Sequence, residues 1–520
     1  MKYPLVKKIL CILIFSIWNL ALYPQLSPNL FRDYIVANKN INKEVKDFYT
    51  QIQYQTAWIN KENQFNYQAL QKVLKLSTAM GLRESDYPII SSVTNINDNE
   101  QAVKNLDSMQ LEILITTSAI HFFNDIAYGN TRPNFGYIGL KIDTVYRDLP
   151  KRLAERVFHK NIADLMPQLV SLRPEITLIQ NKIRWYLAIL SDPDYKEITV
   201  TNEMMKANNR LLISKLYQLG ILDSNNFILK DSILKLIIKE AQLQFNLLPD
   251  GELKNSLLKE LNIPIQVRLK QLVLSLNYYR WLSCTTQNQT TLVVNIPAAN
   301  LKVFQNDIVT FEMKMIVGKK STPTPTLCSS IKEVILYPYW HVPYSIATKE
   351  LLPLIKKNPS YIQTFNYQIL NSEGTIIDPY SVDWQSFSLK YFPYLIRQST
   401  GCDNALGLIK LNFDNPFNVY LHDTPGKNLF SFNKRFLSHG CMRMEKPMEI
   451  GHLVLKNNPL AIDTLEQKGC LRNQSPIRVP ADVQIPIIVW YNPVGTDSTG
   501  HLVFYEDVYG KFNWMNKRPL

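Results

Sequence analysis

What this chain lacks narrows its reading first. Past residue 28 no apolar stretch reaches the ~20 residues a membrane-spanning helix needs: Ile228–Ile238 and Leu269–Leu276 are short or broken by charge. A protein with several membrane passes is thereby excluded. None of the six cysteines, Cys11, Cys284, Cys328, Cys402, Cys441 and Cys470, stands in a C-x-x-C pair, so neither a zinc ribbon nor a dense disulfide framework is signalled. No internal repeat and no low-complexity tract interrupts the 520 residues, which removes solenoids and long disordered tails. Acidic residues are outnumbered by basic ones, 44 against 57, for a net charge of +13. A surface of this sign attracts polyanions, although a lysine-rich composition alone would give the same count.

What is present is enough apolar material to fold. Hydrophobic residues make up 46% and charged residues 19% of the sequence. The length exceeds what one core supports, so two to four domains are expected. The first 28 residues read as a secretory signal: Lys2, Lys7 and Lys8 precede an apolar run from Ile9 to Tyr23. No Ala-x-Ala pattern surrounds Ala21, so cleavage and a retained inner-membrane anchor both stay open. Cys11 begins the apolar run instead of following it, which argues against lipid attachment. For an exported chain the relevant polyanions are cell-wall carboxylates and anionic lipid, not nucleic acid. With the signal removed five cysteines remain, and an odd number in an oxidising compartment leaves at least one thiol free. Pairing among Cys284, Cys328, Cys402 and Cys470 is not determined by spacing.

Periodicity divides the rest into two regimes. Tyr67–Met80, Ser108–Ile126 and Ile176–Leu190 repeat apolar residues at three and four spacing, as helices do. A second helical stretch, Met204–Leu261, contains Pro249-Asp250-Gly251, a tight turn between two helices. One amphipathic helix is predicted over Ile265–Leu282. From Thr291 the period becomes two: Leu292, Val294 and Ile296 alternate, and Val309–Val317 reads as a partner strand after a Gln305-Asn306-Asp307 turn. Further strands are predicted at Val334–Tyr337, Gly407–Leu411, Val419–His422, Ile485–Trp490 and His501–Tyr505, with a helix near Pro447–Leu455. Between them lies an aromatic-rich insertion at about 345–397, with a helical piece at Thr348–Lys357. Insertions of this length inside a domain are commonly lids or binding loops.

The chemistry concentrates in Ser438-His439-Gly440-Cys441-Met442-Arg443, shortly after a strand ending in Tyr420-Leu421-His422-Asp423. A thiol attacks amides poorly until an imidazole takes its proton or a dipole lowers its pKa, so His422 and His439 are the candidate bases. His422 stands nineteen residues before Cys441, enough chain for a strand, a loop and a return. Gly440 lets backbone approach substrate, and the amides around Gly440 and Cys441 are candidates for an oxyanion site. Arg443 is a candidate clamp for a carboxylate. Against this stand an inert core cysteine with a core histidine, and a zinc site at His422, His439 and Cys441, which would need a fourth ligand to close as a structural site.

A histidine followed at this distance by Ser-His-Gly-Cys resembles the signature of YkuD-type L,D-transpeptidases. Phrases similar to the large periplasmic YcbB-like subclass recur in order: Phe48-Tyr49 with Tyr54 to Trp58, Val294 to Pro297, Gly318 with Thr324-Pro325, Pro338 to Pro343, Asn404 to Gly407, Tyr420 to Pro425, Arg435, and Phe504 to Gly510. His341, Cys402 and Phe245-Asn246 depart from the usual pattern. The resemblance implies a multidomain α+β protein: signal or anchor at 1–28, a helical scaffold domain at 29–195, a small helical peptidoglycan-binding-like module at 196–264, a linker helix at 265–289, and a β-rich catalytic domain with a lid at 290–512. It implies Cys441 as nucleophile, His422 as general base, His439, Gly440 and Ser438 at the oxyanion site, and Arg443, Tyr420 and Trp340 toward substrate. It further implies 3→3 cross-linking of peptidoglycan stem peptides in the periplasm, from a donor tetrapeptide to an acceptor diaminopimelate amine; an L,D-carboxypeptidase or hydrolase using the same site, and a wall-binding scaffold with a silent cysteine, are the alternatives. Other wall-synthesis proteins are implied as partners, and no metal or organic cofactor.

Overall fold

A computed structural model describes residues 26–87, 107–140, 148–201, 209–224 and 230–516. The apolar N-terminal segment, with Cys11, and the first residues of the Met204–Leu261 stretch lie outside the described residues. The protein is a helical N-terminal region joined to a β-rich C-terminal region.

The helical region is built on Pro28–Ala37, Lys43–Gln51, Gln64–Leu74, Ser108–Tyr128, Leu149–Phe158 and Leu165–Leu169. Phe31, Phe48, Trp58, Phe122 and Phe123 fill one core among them. Ser108–Tyr128 starts at a capping box, in which Asp107 accepts from Gln110 N–H and the Gln110 side chain returns the bond. Next come Pro174–Leu190, Arg210–Gln218, Asp231–Gln244 and Asn255–Leu261; these pack into the same core as the strands. Gly251, at φ +78°, turns the chain between the last two.

Where an amphipathic helix is predicted over Ile265–Leu282, the structure has a helix at Ile265–Thr286 that is buried around most of its circumference. The polar residues that gave the amphipathic pattern are themselves satisfied inside. Arg268 donates to the Glu260 carboxylate at 2.7 Å and to its carbonyl at 2.8 Å, and Arg280 donates to the Met80 carbonyl at 2.8 Å. Buried guanidiniums are tolerated when paired in this way.

Seventeen strands are described: β1 (Tyr137–Ile138), β2 (Thr291–Asn295), β3 (Asn300–Gln305), β4 (Ile308–Gly318), β5 (Leu327–Leu336), β6 (Trp340–His341), β7 (Tyr367–Leu370), β8 (Ile376–Ile377), β9 (Leu395–Gln398), β10 (Ile409–Phe413), β11 (Leu421–His422), β12 (Phe436–Ser438), β13 (Met442–Met444), β14 (Ile477–Pro480), β15 (Pro486–Trp490), β16 (Val494–Thr496) and β17 (Leu502–Phe504). The main sheet runs β5-β10-β11-β13-β4-β3-β2-β15, and β15 pairs back onto β5. These strands therefore form a closed ring, which hides sheet edges. The insertion is more structured than its sequence indicates. A four-stranded sheet, β6-β9-β7-β8, and helical turns from Tyr344 to Lys357 enclose a separate core that includes Leu352, Ile355, Ile369, Trp384 and Phe392. Cys402 and Cys470 form a disulfide with Cα atoms 5.2 Å apart, whereas Cys284 and Cys328 are buried free thiols.

Candidate active site

Side chains alternate across a strand, so each cross-strand row of a sheet belongs to one face. The register Val334–Leu411–Leu421–Met442 forms an apolar row directed into the core. The neighbouring register is Arg478–Ile335–Lys410–His422–Arg443–Ile316, across β14, β5, β10, β11, β13 and β4. It lies on the opposite face and sets two cations, Lys410 and Arg443, on either side of one imidazole. One step back along both strands, Tyr420 stands beside Cys441, with the Met442 N–H donating to the Tyr420 carbonyl at 3.1 Å. Period-two patterning in short strands thus collects Cys441, Tyr420, His422 and Arg443 on one surface.

The turn carrying Cys441 is held by its own side chains. β12 runs parallel to the end of β4, and the returning β13 lies antiparallel to the same strand. Between them Gly440 adopts φ +116°, a conformation that disfavours any side chain. The Ser438 hydroxyl donates to the Cys441 carbonyl at 2.6 Å and accepts from Gly440 N–H at 3.2 Å. Thr324 donates to the Gly440 carbonyl at 2.8 Å and accepts from Gly318 N–H at the same distance. Buried Arg435 donates to the carbonyls of Met315, Phe432 and Ala299, fixing the approach to the turn. Thr324 and Arg435 were visible in the sequence only as parts of the family phrases.

His422 is 4% exposed, and its Nδ1 lies 2.5 Å from the Asp423 carbonyl. That contact assigns the ring proton to Nδ1 and leaves Nε2 as a proton acceptor. Burial, then Arg443, pulls its pKa down to about 3, so the imidazole is neutral at physiological pH. Asp423 is placed by the Leu408 N–H, which donates to it at 2.9 Å, and by an ion pair with Lys427 at 2.6 Å. A Cβ at Gly407 would collide with the Asp423 carboxylate, so that close approach requires glycine.

Cys441 is partly buried, and its thiol points to the Asn418 carbonyl at 3.9 Å. Among the described residues no hydrogen bond joins it to His422. Burial raises the thiol pKa, while hydrogen-bonding groups of Tyr420, then Lys410 and Arg443, oppose that rise. The resting pair is a neutral thiol beside a neutral imidazole.

The other predicted positions are distributed unevenly. His439 leaves the Cys441 face: its Nε2 meets the Glu350 carboxylate of the insertion at 2.7 Å. His422, His439 and Cys441 therefore do not converge as ligands for a metal. Trp340 belongs to the insertion's sheet, paired with Gln398 and packed on Tyr367, and no described contact joins it to Cys441. Lys410 and Glu350 carried no signal in the sequence, because each is brought to the site by a strand or helix distant from the motif.

Comparison with known proteins bears on this geometry. Residues 289–462 match the L,D-transpeptidase catalytic domain named YkuD, and residues 43–177 match a scaffold domain. A protein from Haemophilus influenzae, named as a candidate L,D-transpeptidase, is 34% identical over 225 residues, which make up 43% of this chain. The chain spans less than half of that relative, 45% of its length. Similar solved structures include L,D-transpeptidase from Mycobacterium smegmatis, at 14% identity over 39% of this chain and 58% of that one, with a TM-score of 0.18. Another is L,D-transpeptidase 1 of Mycobacterium tuberculosis, at 14% identity over 38% and 60%, with a TM-score of 0.15. The β-rich region is thus the part of the chain that matches an L,D-transpeptidase catalytic domain.

Proposed function

We propose that this protein is a cell-envelope cysteine acyltransferase that joins peptidoglycan stem peptides by 3→3 cross-links. The observation that carries the reading is the placement of Cys441 on one strand face with Tyr420, His422 and Arg443, next to a turn whose His439 meets the insertion at Glu350. In the first half-reaction the Cys441 proton passes to His422 Nε2, and sulfur forms a bond to the L-centre carbonyl carbon of diaminopimelate in the donor tetrapeptide. The tetrahedral oxyanion is received by backbone amides at Gly440 and Cys441. For the Gly440 N–H this requires release from Ser438. Collapse breaks the C–N bond, and D-alanine leaves with the proton from His422. In the second half-reaction the side amine of another stem attacks the thioester, passes its proton to His422 and releases the thiol.

The cations Arg443, Lys410 and Arg478 suit a substrate rich in carboxylates. The 345–397 insertion acts as a lid in this reading. Because it holds its own core, it moves as a body instead of folding on arrival of substrate. Residues 1–28 deliver the chain to the periplasm or hold it at the inner membrane, and the Cys402–Cys470 disulfide accords with an oxidising compartment. The helical scaffold and the module near 196–264 serve as docking regions for the wall and its synthesis proteins. Residues 265–289 connect them to the catalytic domain, 290–512.

Transfer competes with hydrolysis of the same thioester. A transferase prevails by orienting the amine and excluding water, effects equivalent to ~10⁵–10⁸ M in well-oriented systems. The test is to incubate tetrapeptide muropeptides with purified protein and read the products by mass spectrometry. Dimers bonded through two diaminopimelates are expected to dominate. Tripeptide as the main product at high acceptor concentration would replace this reading with an L,D-carboxypeptidase.

A further inference from the structure

Lys410 lies in the row that contains His422 and Arg443, yet none of the site motifs includes it. Its ammonium nitrogen sits 3.8 Å from the centroid of the Tyr420 ring. An exposed strand lysine would normally extend into water or meet a carboxylate. Lys410 is partly buried, and among the described residues its ammonium has neither an ion pair nor a hydrogen bond. The carboxylate on the next strand, Glu333, is already occupied: it accepts from Asn412 at 2.6 Å and from Arg478 at 3.0 Å. The lysine charge is thus left facing the aromatic ring and the thiol beyond it. A cation on a ring face is attracted by the ring quadrupole, more strongly where water is excluded.

This arrangement answers a difficulty in the site. The thiol and the imidazole are both neutral at rest, and burial opposes forming a thiolate–imidazolium pair. Something must favour the anion without hydrogen-bonding to His422. Tyr420 is within hydrogen-bonding reach of the sulfur, and Lys410 holds the face of that same ring. The charged and titratable groups around the sulfur are Lys410 from β10, Tyr420 just before β11 and His422 on it, and Arg443 from β13. Arg478 and Glu333 stand behind Lys410, as does His341 at the base of the insertion. Glu350 and His439 meet each other at 2.7 Å.

We propose that Lys410 is a positioning residue for the nucleophile: its ammonium fixes the Tyr420 phenol against Cys441 and supplies positive charge that favours the thiolate while the proton resides on His422. The proposal rests on Cys441 being the nucleophile, and is independent of whether the acyl group passes to an amine or to water.

The test follows alkylation of Cys441 in the full-length protein as a function of pH, with the Cys441 peptide quantified by mass spectrometry. Iodoacetamide is expected to react with the Lys410→Met protein about tenfold more slowly at neutral pH, with the midpoint moved upward by about one unit, a tenfold change in ionisation. Lys410→Arg should restore most of the rate. A midpoint unchanged in Lys410→Met would overturn the proposal. A second measurement needs no variant: in the unmodified protein, anionic iodoacetate should gain on neutral iodoacetamide relative to the same pair acting on a free cysteine peptide. An equal ratio would show that no net positive field acts at the sulfur and would also overturn the proposal. These readings do not depend on muropeptide products. Loss of cross-linking with normal alkylation would therefore count against the proposed function and leave Lys410 in place.

Discussion

Glu112 in the helical region and Cys441 on the strand face are both removed from water, but their surroundings differ. Glu112 is fully buried, and its carboxylate is received on every side. It accepts from the backbone N–H groups of Ala57, Trp58 and Ile59 and from the Tyr49 hydroxyl, while the neighbouring Thr116 accepts from the Trp58 indole. Such a network ties the Gln55–Asn60 segment to the long helix and has nothing left to bind. On the catalytic face the polar groups are close but incompletely matched. Lys410 meets a ring, Arg443 Nε has no hydrogen-bond partner among the described residues, and His422 keeps one nitrogen open. A satisfied buried charge holds structure, whereas an unsatisfied one is available to a substrate or a proton.

The sharpest break of this contrast is Cys441→Ala. It should abolish product and covalent labelling by carbapenem-type β-lactams, with the melting temperature nearly unchanged. Labelling that survives would move the nucleophile elsewhere. His422→Ala should lower turnover by ~10²–10⁴-fold, the range for loss of a general base. His439→Ala should lower it less, because that side chain faces Glu350. Steady-state rates of the two variants, measured side by side, decide the order.

Glu112→Gln should do the opposite, lowering stability by about 1–3 kcal/mol through an amide placed against backbone donors while sparing turnover of the folded fraction. It also carries a pH signature. Burial raises the Glu112 pKa from 4.5 to about 7 in the folded protein, so the folded state holds the proton more tightly than the unfolded one. The resulting stabilisation is complete below the unfolded value and is lost as pH rises through about 7. The stability difference between wild type and Glu112→Gln should accordingly shrink over that interval in denaturant titrations. A flat difference would mean that the carboxyl does not titrate there.

The smallest effect is expected from Glu350→Gln. It removes the charge from a half-exposed contact to His439, worth no more than about 1 kcal/mol. A two- to threefold change in KM with kcat nearly constant would mark this contact as part of lid closure. A large fall in kcat would instead assign His439 a role in the chemistry.

Much of the catalytic face was legible before any coordinates. The sequence pattern predicts a strand at Gly407–Leu411, where β10 runs Ile409–Phe413, and Ser438 to Arg443 announces a thiol in need of a base. Strand limits moved by one to several residues, as at Leu327–Leu336, where the sequence pattern began only at Val334. The reason is local: Cys328, Ser329 and Ser330 pair with β15 and are buried there, which their polarity does not suggest. Similarly, Arg268 and Arg280 made the Ile265–Thr286 helix look half-exposed because their partners Glu260 and Met80 come from other segments.

The sequence by itself determined the reactive groups and the face of each strand on which they stand, since both follow from residue type and a two-residue period. Only the tertiary structure decided which strands lie side by side. The register of β10 on β11 and of β11 on β13 puts Lys410, His422 and Arg443 in one row, the fold of the insertion brings Glu350 to His439, and the return of the chain after residue 468 joins Cys470 to Cys402. These juxtapositions depend on packing between segments far apart in the chain, and periodicity within a segment carries no information about its neighbour.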